Sequence, residues 1–178
     1  MRPHAILLDP GHGGDQEGHY SRTGISEKNL TLQLAVALAE RLSAHGLDPH
    51  FTRVGDTMVS HRYRAKFARR FDLTLSLHFH ATSNPHVRNM QASARIAEGE
   101  AIGRLILDYL FRALGETVLY RPTQCRITTL TDLPVVVLMC GMISHPEVEQ
   151  TIIDGTRMPK LASAIADGVA QHFGAAVR

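Results

Sequence analysis

Cysteine is scarce, with only Cys125 and Cys140 among 178 residues, so a disulfide framework is excluded. Cys140 lies inside an apolar run, where a buried free thiol is expected. Long hydrophobic runs are missing as well. No stretch approaches the roughly 20 apolar residues that cross a bilayer, and the N-terminus has no signal-peptide-like apolar segment. The chain is therefore expected to have no transmembrane segment, and either to act without an export signal or to follow a leader that these residues do not include. Charge of one sign is also lacking: 19 basic and 17 acidic residues leave a net charge of +2. Their even mixing excludes the electrostatic footprint of a nucleic-acid binder. The basic group Arg62, Arg64, Lys66, Arg69 and Arg70 reads as a solvated helix face. No internal repeat or low-complexity segment divides the chain, and its 44% hydrophobic content suits a single domain, residues 1–178, with a substantial core.

What the chain has in quantity is histidine, 11 in all. Most, including His19 and His61, lie in polar or loop contexts and read as surface residues; His12, His78, His80 and His145 stand apart. Ile6-Leu-Leu-Asp-Pro-Gly-His-Gly-Gly14 is an apolar strand breaking at Pro10 into a glycine loop that presents His12. Such a loop suits a phosphate cradle, an imidazole aimed at a metal, or a plain turn. The phosphate option lacks its chemistry, since there is neither a Gly-Lys-Ser/Thr ending nor a G-x-G-x-x-G pattern. Ser26 offers a helix N-cap, and Leu30, Leu34, Leu38 and Leu42 recur every four residues up to Gly46, which puts Glu27 in the first turn. There a carboxylate serves the helix dipole or points at a metal beside the loop.

Leu47–Arg53 reads as a strand and residues 59–70 as a helix. Leu73-Thr-Leu-Ser-Leu-His-Phe-His80 reads as a strand with one buried face ending in His78 and His80, which share a side of an extended backbone. Residues 84–97 show no period. Residues 101–114 form an apolar helix, residues 117–133 contain a short strand, and Val135–Cys140 is a central strand ended by Gly141. A short helix opens at Pro146, and Leu161, Ile165, Val169 and Phe173 mark a last amphipathic one. The alternation predicts an α/β three-layer domain, a twisted and mostly parallel mixed sheet with helices on both faces. Ligands collect at the carboxyl ends of such strands, where His12 and His78 stand.

Two histidines and a carboxylate form the ligand set of an open catalytic zinc site, and His12, Glu27 and His78 can supply it. Leu8-Asp-Pro-Gly-His-Gly-Gly14, Glu27-Lys-Asn-Leu30, Thr52-Arg53 with Asp56, Ser76-Leu-His78, and Pro134-Val-Val-Val-Leu138 with Gly141-Met-Ile-Ser-His-Pro-Glu147 together resemble the zinc-dependent N-acetylmuramoyl-L-alanine amidases over nearly the whole chain. The resemblance implies a sheet of about six strands, zinc on His12, Glu27 and His78, and cleavage of the amide between muramic acid and the first L-alanine of peptidoglycan. It also implies action on peptidoglycan or muropeptides in the periplasm or cell envelope, or as a phage lysin, by what is expected to be a monomer.

One position departs from the pattern. The family's glutamate, two residues before the strand-ending glycine, is here Met139, which neither accepts nor donates a proton. Acid–base assistance is worth roughly 100- to 10,000-fold. His80, which stands where the family commonly has asparagine, is therefore the candidate catalytic base, with Glu147 a weaker one. The alternative is a non-catalytic zinc-containing domain that binds muropeptides or regulates an amidase. Asp9 is expected to structure its loop, Arg64 to form an ion pair, Cys140 to be inert, and His145 to cap a helix or face solvent rather than bind zinc.

Overall fold

Strand-forming runs rich in leucine and valine assemble into one six-stranded sheet in the computed structural model, which describes residues 2–122 and 125–176. Strands β1 (Ala5–Pro10), β2 (Asp48–Phe51), β3 (Leu73–His80) and β6 (Val135–Met142) are mutually parallel. Strand β4 (Asn89–Ser93) pairs antiparallel with β6, and β5 (Thr117–Tyr120) runs parallel to β4, giving the order β2-β1-β3-β6-β4-β5.

Helices α1 (Glu27–Ala44), α3 (Ala97–Leu114) and α6 (Arg157–His172) cover one face. The four-residue leucine repeat of α1 packs there with Ile6, Leu8, Leu75, Leu77, Val136 and Leu138. Each fully buried leucine contributes roughly 1.5–3 kcal/mol. The other face carries α2 (His61–Ala68), α4 (Arg126–Thr129) and a smaller apolar cluster of Ile127, Val135 and Val137 against which Met139 packs. The short helix α5 (Pro146–Ile153) leads into α6, and His145 caps it by accepting the Glu147 N–H on Nδ1 at 3.2 Å. The expected three-layer architecture is the observed one.

Four local expectations change. Strand β4 lies in the stretch that has no period, because five residues are too few to show one and its order comes from pairing with β6. Thr74 and Ser76 are buried, so β3 is covered on both faces. Arg64 is buried rather than solvated, drawn in by the Asp9 carboxylate. Gly141 does not end β6; the strand continues to Met142 through φ +147° at Gly141, where a Cβ would come within 2.6 Å of Arg157 Nη2. The expected strand in residues 117–133 is β5, and residues 123–124 of that stretch lie outside the described residues.

Arg157 is in that position because it forms a two-pronged ion pair with Glu116, at 2.7 and 2.9 Å, and also donates to the Cys140 carbonyl at 3.2 Å. Both side chains are fully buried, and Arg88 Nε approaches the same carboxylate at 3.2 Å. This cluster ties the start of α6 to the end of α3 and to β6.

Candidate metal centre

The carboxyl ends of β1 and β3 and the start of α1 converge on one point. Ser26 stands at the α1 N-cap position, but its buried hydroxyl makes no capping bond. The first N–H groups are satisfied instead by the preceding loop: Glu27 N–H donates to His19 O at 2.8 Å and Lys28 N–H to Glu17 O at 3.1 Å. That exchange folds residues 17–19 back over the helix start and seats Glu27 between two imidazoles. Glu27 Oε2 lies 3.0 Å from His12 Nε2, and Oε1 lies 3.1 Å from His78 Nδ1.

Backbone N–H groups of His19 and Phe79 also donate to the Glu27 carboxylate, each at 3.0 Å. Burial pushes this carboxyl up, but hydrogen bonding to His12, His78 and the His19 N–H outweighs burial and holds it far below the usual carboxylate range.

The glycine loop is clamped through its carbonyls. Arg53 donates to Pro10 O and Gly11 O, and Arg64 to Pro10 O and His12 O. His12 itself sits at φ +62°, a conformation an L-residue holds only when its surroundings enforce it. Lys28 closes the loop's far side by donating to Gly14 O, Asp56 and Glu17. Asp9 accepts from Thr52 at 2.7 Å, Arg64 at 2.5 Å and Ser76 at 2.8 Å. Ser76 Oγ in turn stands 3.4 Å from His78 Nε2, so a buried Asp9–Ser76 pair backs the ring whose Nδ1 faces Glu27. Asp9 and Arg64 thus have the structural roles expected of them.

Ligand atoms of His12, Glu27 and His78 all lie within 4.8 Å of one another, the one such His/Cys/Asp/Glu group among the described residues. Tetrahedral ligands with zinc bonds of about 2.0–2.2 Å are spaced roughly 3.3 Å apart. Each imidazole faces a different oxygen of the Glu27 carboxylate, at 3.0 and 3.1 Å, and two imidazoles with one carboxylate are zinc-type donors that leave a position open.

Gly11 is required here because a Cβ would fall 2.4 Å from His78 Cε1 and 2.6 Å from Nδ1. Gly11→Ala is expected to displace His78 and weaken zinc binding by on the order of 10- to 100-fold. Competition with a chromophoric chelator measures this, with circular dichroism to confirm a retained fold.

His80 does not share a ligand position with His78. The β3–β6 register shifts between the two, and His80 Nδ1 turns to His19 Nε2 at 3.0 Å. His19 Nδ1 is 3.5 Å from Glu27 Oε2, so the pair forms a chain ending on the carboxylate. Sequence reading placed His19 on the surface, and only the loop's return over α1 could have revealed it. Glu147 is engaged by Arg88.

A cavity of about 210 Å³ opens beside the centre. His12 and His78 line its metal side, and Val137 and Met139 form an apolar wall from β6. His61 and Arg64 enter from α2, and Arg126 and Ile127 from α4. Met139 is the β-ladder partner of His78, so residue 139 stands beside that candidate ligand. Sequence reading also missed the cavity role of His61, which sits one turn from Arg64 on α2.

A family model described as N-acetylmuramoyl-L-alanine amidase matches residues 6–171. The chain is 27% identical over 218 residues to the N-acetylmuramoyl-L-alanine amidase AmiA of Escherichia coli K12, covering 94% of this chain and 75% of AmiA. It is 31% identical over 177 residues to a Staphylococcus aureus protein, LytH, named as a probable cell wall amidase, covering 96% of this chain but only 58% of LytH. An N-acetylmuramoyl-L-alanine amidase structure from Clostridium difficile 630 superposes with TM-score 0.90 at 25% identity, covering 98% of each chain. The catalytic domain of CwlV from Bacillus (Paenibacillus) polymyxa var. colistinus gives TM-score 0.91 at 22% identity over 97% of this chain and 99% of that one, a likeness of fold.

Proposed function

We propose, because this chain belongs to the N-acetylmuramoyl-L-alanine amidase family, that residues 1–178 form one zinc-dependent catalytic domain. Its reaction is hydrolysis of the amide between N-acetylmuramic acid and the first L-alanine of peptidoglycan stem peptides. The observation that carries this reading is the His12–Glu27–His78 cluster, spaced for one ion at the mouth of a cavity. A zinc ion held there supplies Lewis acidity, lowering the pKa of water and polarising the scissile carbonyl.

The chain's own residues do the rest. Glu27 stays anionic and contributes the one negative charge among the ligands. Asp9 and Ser76 orient His78, and Arg53 and Arg64 hold the loop that presents His12. The Val137–Met139 wall lowers the local polarity, which strengthens electrostatic interactions with the reacting carbonyl. His80, the base suggested by sequence, is assigned here to positioning, because its ring reaches the centre only through His19 and Glu27.

The site of action is the cell wall, reached in the periplasm or cell envelope or as a lysin, and the working unit is a monomer. No described helix is long and apolar enough to cross a membrane. Met139 favours a second reading, a zinc-containing domain that binds muropeptides or regulates an amidase without cutting. Purified, zinc-loaded protein is expected to release L-alanine amino termini from peptidoglycan and to lose that activity on chelation. Tight muropeptide binding with no release would sink the hydrolytic reading and support the second.

A further inference from the structure

We infer that His61 is the proton-transfer group of this site, taking the place of the carboxylate that Met139 lacks. This assignment rests on the hydrolytic reading above. Amide hydrolysis needs a group that removes a proton from the attacking water and delivers one to the departing nitrogen, since an amide anion is too basic to leave.

The other candidates are committed or misplaced. Glu27 is held by two imidazoles and two backbone N–H groups. Asp9 is saturated by Thr52, Arg64 and Ser76. Glu147 is paired with Arg88, and His80 with His19 outside the cavity. Cys140 belongs to the core on the other face of the sheet, where burial pushes its thiol up to about 12.

Cys125, also on the cavity wall, is engaged at the α4 N-cap and lies 3.9 Å from Ser93 Oγ, which leaves His61. It occupies the first turn of α2 and lines the cavity together with His12, His78 and Met139. Helix α2 is tied to the metal centre by Arg64, one turn on, which donates to Asp9, Pro10 O and His12 O. Ser60 fixes the helix start by accepting the Tyr63 N–H at 3.2 Å. No described residue hydrogen-bonds to or pairs with the His61 imidazole, so both ring nitrogens are available.

The charged groups around it are Arg64 on its own helix, Arg126 on α4, His78 on β3 and Asp9 on β1. Partial desolvation, then Arg64, lower the pKa of this exposed ring, with Arg126 adding to this and Asp9 opposing. The ring is therefore neutral and able to accept a proton at neutral pH. In the step itself, water oxygen bonds to the lactyl carbonyl carbon while one water proton passes to a His61 ring nitrogen. That proton then moves to the L-alanine nitrogen as the C–N bond breaks, which leaves a free amino terminus, a lactyl carboxyl group and neutral His61.

The test compares the unmodified protein with His61→Gln, Met139→Glu and the double variant. Each is zinc-loaded, its zinc content is measured, and release of L-alanine amino termini from purified peptidoglycan is followed from about pH 5 to 9. All four are expected to bind one zinc. His61→Gln is expected to lower kcat on the order of 100-fold with little change in KM, and Met139→Glu to restore turnover in the double variant. The acid limb of the unmodified profile is expected below the ordinary histidine value of about 6.5, and to vanish in His61→Gln. A merely structural His61 would move neither the limb nor kcat separately from KM.

Unchanged turnover in His61→Gln overturns the assignment. So does an inert unmodified protein beside an active Met139→Glu variant, a result that leaves the zinc centre and fold reading intact. If every zinc-loaded protein is inert, Met139→Glu included, the hydrolytic reading fails and the His61 assignment fails with it.

Discussion

Replacing Glu27 by alanine is expected to empty the metal centre and abolish hydrolysis. The loss should exceed the roughly 10- to 100-fold that removal of an outer partner costs, because a ligand itself is gone. The structure explains why no neighbour can substitute. His19 and His80 are paired with each other and stand outside the group of converging ligand atoms. The same change leaves the His19 and Phe79 N–H groups without their acceptor, at about 1–3 kcal/mol each. Removing a buried carboxylate offsets part of that cost. The expected signature is therefore near-zero zinc by elemental analysis with a modest fall in Tm. A variant that retains one zinc per chain would show that Glu27 is not a ligand. Zinc release on acidification should not follow protonation of Glu27, whose carboxyl stays ionised well below the usual range. Glu27→Gln, which keeps the shape and removes the charge, should bind zinc with intermediate affinity.

Glu116→Ala is expected to be the most destabilising single change away from the centre, by about 3–5 kcal/mol, because it strands the Arg157 guanidinium in the interior. For a domain of this size, 1 kcal/mol moves Tm by roughly 2–4 °C, so the shift is on the order of 10 °C. Calorimetry of the variant and of a Glu116→Leu/Arg157→Met double checks it, since removing both charges should recover most of the loss.

The pH dependence has a definite sign. Burial raises the Glu116 carboxyl, but the Arg157 hydrogen bonds and charge outweigh it and depress it below 4.5. Its stabilisation is fully present above the unfolded value of 4.5 and is lost as pH falls through the depressed folded value. In the Glu116→Ala protein this acid limb should flatten. An unchanged limb would assign acid sensitivity to other carboxylates.

Much of the centre was legible in the chain because ligand chemistry and element ends are local. A glycine loop after an apolar run can present only its histidine, a helix start can present only its first-turn carboxylate, and the end of Leu73–His80 presents His78. The step from His78 to His80 failed for a physical reason. Alternation assumes a regular ladder, and the shift between β3 and β6 at that point turns His80 toward His19. Arg64 was misread as solvated because a helical charge pattern does not reveal that Asp9, far away in sequence, draws one of its members inward. Likewise, β4 owes its existence to β6 rather than to its own pattern.

Periodicity, turn chemistry and residue type, which act over a few neighbours, were enough for the α/β layering and for three candidate donors, and the family resemblance marked Met139 as a departure. Only the tertiary structure decided their surroundings: the 3.0 and 3.1 Å spacing around Glu27, the return of His19 over the helix start, the Asp9–Ser76 support behind His78, and the cavity that brings His61 to Met139. The support behind His78 and the walls of the cavity depend on contacts across 50 residues or more, such as Asp9 with Ser76 and with Arg64. Their energies appear only once the sheet has closed the distances, and no pattern within one segment encodes them.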